Sequence, residues 1–148
     1  MYDLTFELSG EWTPVPAERF ADPGVVMAAQ HGPSRTGFTA NIVVTTVPGG
    51  LWAAEADWLA QLAESYVAVC LLCRNEFGTA DTPGCARVVR LRSAGTDVVQ
   101  TQVLVEMAAT AGSIVVRMAL TCTPDQLDEV LPDFEDFVGS IRPAPLRD

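Results

Sequence analysis

Apolar and polar residues follow two different periods along this chain, and the change from one to the other predicts its elements. Strand-like runs, in which apolar residues alternate or cluster with β-branched ones, cover residues 4–8, 25–30, 38–47, 67–77, 85–92, 98–107 and 114–122. Gly10, Pro14 and Pro16 end the first run, and Pro48-Gly49-Gly50 ends the third. Residues 19–24 read as a turn and residues 31–34 as a loop. The run at 38–47 is the clearest strand of the first half, because β-branched side chains pack well on a pleated surface.

A helical period takes over twice. After Gly50, Leu51, Trp58, Leu59, Leu62 and Tyr66 fall on one side of a helix, with Glu55, Asp57, Gln61 and Glu64 on the rest. Near the end, Thr123, Pro124 and Gln126 form a capping-box signature. Leu127, Val130, Leu131, Phe134, Phe137, Val138 and Ile141 then trace one apolar stripe. Pro132 lies inside it and should kink or split the helix, since it removes a backbone donor and clashes with the preceding turn. The coarse order is three strands, helix, four strands, helix, without repeat or linker. That order predicts a single α+β domain over residues 1–148, an antiparallel sheet with helices packed on it.

Side chains alternate across a sheet, so a pairing register can be chosen by asking which offset keeps the faces consistent. A loop at residues 109–112 pairs Met107 with Ile114, Val105 with Val116, Val103 with Met118 and Thr101 with Leu120. A three-residue loop, Ala94-Gly95-Thr96, then pairs Leu91 with Val99 and Val89 with Thr101. These offsets give one apolar face that packs on a helix. The opposite face carries Arg90, Arg92, Gln100, Gln102, Glu106 and Arg117. Arg87 is a misfit, since this register sets it on the apolar side, near an edge.

Composition narrows the function classes. The chain has 148 residues, 49 % of them hydrophobic, with a mean hydropathy of +0.22. A domain of this size buries roughly 70 % of its unfolded surface and needs no staple. No apolar run approaches the ~20 residues that cross a bilayer, so no membrane insertion is expected. The net charge is −10, all nine cations are arginine, and lysine is absent. Phosphate backbones are held by clustered cations, so nucleic acid is not an expected partner. The missing lysine removes Schiff-base chemistry and the phosphate-loop lysine. The first residues, Met-Tyr-Asp-Leu-Thr-Phe-Glu, show neither a basic segment nor an apolar core of a signal, which predicts a cytoplasmic protein.

Candidate chemistry is sparse. Cys70-Leu71-Leu72-Cys73 matches CxxC, but in a strand, positions three apart face opposite ways. The pattern therefore reads as small hydrophobes rather than a metal or redox site. His31, the only histidine, stands in a Gly-Pro-Ser loop without a nucleophile-elbow motif and reads as a surface residue. Asp125, Asp128, Glu129, Asp133, Glu135 and Asp136 read as the solvated outer side of the last helix. Trp58 reads as core, and Trp52 as either core or an interface anchor. No catalytic residue, metal ligand or cofactor is assigned, and the chain reads as a non-enzyme.

Several segments together resemble a known family. They are Phe-x-x-Asn-Ile-Val-Val-x at residues 38–45, Gly-Cys-Ala-Arg-Val-Val at 84–89, Val-x-Gln-Thr-Gln at 98–102, Leu-Thr-Cys-Thr at 120–123 and Gly-Ser-Ile-Arg-Pro at 139–143. With the helix between the first two, they look like the PsbP-like superfamily, and within it most like the actinobacterial LpqN/LpqT family. The resemblance implies three layers, α/β/α, around an antiparallel sheet of about seven strands. It brings no catalytic residues. Its members are mostly non-enzymatic and include a photosystem accessory subunit, a Ran-binding protein and chaperones for membrane segments of secretion effectors. The chain departs from the LpqN/LpqT pattern in showing no lipoprotein signal or anchoring cysteine.

The expected function is thus a non-enzymatic protein-binding or accessory domain, with a protein partner that includes a second copy among the candidates. Its expected surface is the polar sheet face of Arg90, Arg92, Gln100, Gln102 and Arg117, or the acidic last helix. Charge reversal at Arg90 and Arg117 is expected to leave stability nearly unchanged. The alternatives are a secretion-effector chaperone-like protein and a carrier of a small apolar ligand near Trp58 and Tyr66.

Overall fold

The computed structural model describes residues 4–32, 38–109 and 112–143. Residues 1–3, 33–37, 110–111 and 144–148 lie outside that set, and with them parts of the loops expected at 31–34 and 109–112. In chain order the elements are β1 (Leu4–Thr5), β2 (Trp12–Pro14), β3 (Val25–His31), β4 (Asn41–Pro48), α1 (Leu51–Ser65), β5 (Val67–Gly78), β6 (Pro83–Ser93), β7 (Thr96–Ala109), β8 (Gly112–Cys122), α2 (Leu127–Ser140) and β9 (Arg142–Pro143). Seven strands form one antiparallel sheet in the order β2-β3-β4-β8-β7-β6-β5. The first predicted strand shrinks to β1, which pairs with β9 in a separate two-stranded ribbon. Its place in the main sheet is taken by β2, which the prolines at 14 and 16 hid from a pattern reading.

The two helices cover opposite faces of this sheet, giving three layers. Buried Val130, Phe134 and Phe137 of α2 pack with Ile42, Val44, Val116, Met118 and Leu120. Buried Leu51, Ala54, Trp58 and Leu62 of α1 pack with Cys85, Val89, Leu91, Val98, Leu104 and Val115. Each helix start is served by a side-chain acceptor, one distant in sequence and one local. The backbone of Leu51 donates to Glu106 Oε1 at 2.8 Å, so a carboxylate on β7 sits at the positive end of α1. Before α2, a single 3-10 turn (Pro124–Gln126) opens the helix, and Thr123 N donates to Gln126 Oε1 at 2.9 Å, as the capping signature predicts. Pro132 does not split α2, which runs unbroken through it. The proline is exposed, so it forfeits one backbone bond on the solvent side while Phe134 and Phe137, two and five residues further on, hold the buried stripe.

The β7–β8 register is the one read from the sequence, with Val103 opposite Met118 and Val105 opposite Val116. The β6–β7 register is not. Leu91 pairs with Val98 and Val89 with Gln100, one residue away from the expected offset. The turn is two residues, Ala94 and Gly95, both with positive φ (50° and 82°). That conformation matches the twist of a tight hairpin, and its usual Asn-Gly or Asp-Gly marker is absent here. One residue of slip turns every β6 side chain to the other face.

Candidate functional site

The slip divides the residues expected to share one surface. Gln100, Gln102 and Arg117 lie on the α1 face, where Gln102 and Arg117 are buried. Arg90 and Arg92 stand on the opposite face, exposed, and both pair with Asp97. The hydrogen bond from Arg92 holds the Asp97 carboxyl below its ordinary value. The expected polar patch is therefore not a continuous surface. The same slip accounts for the misfit, since Arg87 is only 2 % exposed and lies among the polar residues of the α1 face.

Beneath α1, that face forms a buried polar network. Arg87 Nε donates to Gln102 Oε1, Gln102 donates to Gln100, and Gln100 Nε2 donates to Thr121 Oγ1 at 3.0 Å. Glu55, from α1, accepts Arg74 Nε at 2.6 Å and Nη2 at 2.9 Å, and meets Arg87 Nη1 at 3.5 Å. Trp58 packs against two guanidiniums, with Arg117 at 4.9 Å and Arg87 at 5.6 Å from its ring centre. Arg87 Nη2 and Arg117 Nε find no hydrogen-bond acceptor among the described residues, so attraction to the indole face carries part of their stabilisation. Burial lowers the pKa of both arginines from its ordinary value. The Arg74 hydrogen bond holds Glu55 below the usual carboxylate value against the opposing effect of burial.

The thiol that joins this network is not an activated nucleophile. Cys85 Sγ donates to Glu55 Oε2 at 3.2 Å, but burial first, and the neighbouring carboxylate second, push the thiol up to about 11. It is therefore a neutral thiol at physiological pH, as is Cys122, pushed up to about 11 by burial. Cys70 and Cys73 are exposed and free. They do not face opposite ways as predicted. A bulge between Leu71 and Cys73 resets the alternation, so Cys70 opposes Arg90 and Cys73 opposes Val88, two residues of one β6 face. Trp58 is core as expected. Two shallow open depressions, of about 350 Å³ between Trp52 and Pro83 and about 270 Å³ between Glu7 and Asp136, include neither Trp58 nor Tyr66.

The exposed feature that the pattern reading missed is the sheet's β5 edge. β5 is twelve residues long, pairs with β6 on one side only, and is exposed along nearly its whole length. Of the eight large hydrophobics exposed among the described residues, Trp52, Tyr66, Val67, Leu71, Leu72 and Phe77 gather on it or beside it, Val67 at 66 % and Leu72 at 54 % exposure. Phe6 and Val26 are the other two. Two register shifts break the first half of β5, while its pairing from Cys73 to Gly78 is regular. Phe77 lies over Gly84, where any Cβ would collide with its ring. Arg74, over Trp52 at 5.6 Å and paired with Glu55 and Glu76, braces the edge against α1. The shallow depression by Trp52, Phe77 and Pro83 sits at its end. The signal in the sequence was the apolar stretch at the start of the strand-like run 67–77.

No family model matches the chain, and no curated protein matches it by sequence. Similar solved structures do share its fold. LpqN of Mycobacterium tuberculosis, described as involved in cell envelope biogenesis, aligns with a TM-score of 0.71 at 9 % identity, covering 98 % of this chain and 85 % of LpqN. The cyanobacterial PsbP of Synechocystis aligns with a TM-score of 0.59 at 12 % identity, covering 95 % of this chain and 92 % of its own. The Ran-binding protein Mog1p of Saccharomyces cerevisiae aligns with a TM-score of 0.61 at 9 % identity, covering 94 % and 89 %. The fold is thus the PsbP/Mog1-like fold that the sequence motifs resemble.

Proposed function

We propose that this chain is a non-enzymatic protein-binding domain that takes an extended segment of a partner protein onto the free edge of β5. The observation that carries this reading is the concentration of exposed apolar side chains along a strand whose outer edge no other strand of the sheet pairs. Such an edge presents a row of unpaired N–H and C=O groups, and folded proteins ordinarily blunt it. Added strands gain affinity from main-chain hydrogen bonds and specificity from side-chain pockets. The regular stretch Cys73–Gly78 supplies the ladder, and the depression beside Trp52 and Phe77 supplies a place for an anchor. Mog1p, on the same fold, is a Ran-binding protein, which supports a binding role without indicating the partner. The two exposed thiols on β5 favour a reducing compartment such as the cytoplasm. This surface replaces the polar face of Arg90, Arg92, Gln100, Gln102 and Arg117 as the proposed one, because that face is divided and half buried.

A photo-crosslinking residue at position 72, compared with one at position 26, tests the reading in the native host. Position 72 should capture a defined partner through one extended segment, and Val67→Lys with Leu71→Lys should abolish that capture. Equal capture at the two positions would overturn it. So would light scattering that shows a dimer lost on Leu72→Lys, since a second copy would then fill the edge.

A further inference from the structure

We propose a divalent transition-metal site built by Glu11, His31 and Glu129 at the opposite end of the sheet from β5. One donor atom from each of these residues lies within 4.8 Å of the others, and His31 Nε2 stands 3.5 Å from Glu11 Oε2. Donors that share one tetrahedral zinc ion, at bonds of about 2.0–2.2 Å, stand roughly 3.3–3.5 Å apart. The His31–Glu11 pair already has that spacing. Both carboxylates are exposed and free to turn the remaining distance, while the imidazole is held in place.

Three parts of the fold converge to make this geometry. His31 closes β3 at 1 % exposure, paired with Trp12 of β2, whose ring lies 5.0 Å away. Gly32 N donates to the backbone oxygen of Glu11 at 2.8 Å, which sets Glu11 beside the histidine. Trp12 Nε1 donates to Asp133 Oδ2 at 3.0 Å and pins α2 to this edge. Glu129 lies four residues before Asp133, on the same stripe of the helix, and is thereby carried to the same spot. Among the described residues no arginine pairs with Glu11 or Glu129, so two carboxylates meet at one imidazole in a chain of net charge −10. One nitrogen and two oxygen donors suit zinc and its first-row neighbours better than magnesium or calcium, which take oxygen ligands. A cation there ties β2, β3 and the first turn of α2 together.

Titration calorimetry and thermal melts of the EDTA-treated protein with zinc chloride, and with magnesium chloride for comparison, test the site. One zinc per chain should bind and raise the melting temperature, with magnesium at least tenfold weaker. His31→Gln and Glu129→Gln should each weaken zinc binding at least tenfold. Because His31 is buried and its variant could lose its fold, the exposed Glu129→Gln decides the matter, with Asp136→Asn binding zinc as the unaltered chain does. No one-to-one zinc binding, or undiminished binding by Glu129→Gln, would overturn the proposal.

Discussion

The two outer edges of the sheet are finished in opposite ways. At one, β2 is three residues long and ends on Pro14, and its Trp12 is buried and bonded to α2. The small ribbon of β1 and β9 and the bond from Glu7 N to Ser140 Oγ at 2.7 Å tie the chain's two ends together beside α2. At the other edge, β5 is four times as long, and its outer side pairs with no other strand of the sheet. A short strand with a proline leaves little ladder for another chain to join, whereas a long apolar strand leaves much. The difference teaches that this antiparallel sheet is finished short where α2 is anchored and left long and open along β5. The buried residues beneath α2 are nearly all apolar, whereas those beneath α1 include a braced polar network.

Three substitutions sharpen or break this contrast. The largest effect should come from the closed half, where Phe134→Ala removes a fully buried ring and should cost about 3–5 kcal/mol in urea unfolding. A loss below about 1 kcal/mol would mean that α2 does not hold that half. Next, Arg117→Glu puts a carboxylate under Trp58 in place of a buried guanidinium and should cost about 3 kcal/mol. Arg90→Glu, on the exposed face, should cost less than about 1 kcal/mol. This corrects the expectation that both reversals are nearly neutral, and equal costs would refute the one-residue slip of β6.

The smallest effect depends on pH. Glu55 titrates below its ordinary 4.5 in the fold, so its stabilisation is present above that value and is lost as the pH falls through the lower folded one. Glu55→Gln should therefore be less stable than the unaltered chain at pH 6. The gap should narrow toward pH 3.5 in denaturant midpoints. A constant gap would mean that the Arg74–Glu55–Arg87 bridge contributes nothing through charge.

Much of this was legible in the residues, and the errors have definite causes. The β7–β8 register could be read because Val103, Val105, Met107, Ile114, Val116 and Met118 leave only one offset that keeps a dry face. On β6 the same logic failed on a turn, since Ala94 at positive φ is not announced by its residue type. Arg87 was the available warning: one offset sets it against Val103, the other against Gln102. His31, read as a surface loop residue, is buried because β2 pairs across it, and β2 itself was hidden by its proline.

The sequence by itself determined both helices and the strands β3 to β8, the antiparallel α+β class, the capped start of α2 and the absence of lysine chemistry. These depend on local periods of two and 3.6, on cap residues and on composition, all of which can be read within a short window. Only the tertiary structure decided that β4 lies beside β8, that α1 seals Arg87 and Arg117 against Trp58, and that β5 is left at an edge. It alone brought Glu11, His31 and Glu129 together. Such meetings depend on strand order and on turns one residue longer or shorter, which hydrophobic periodicity does not encode.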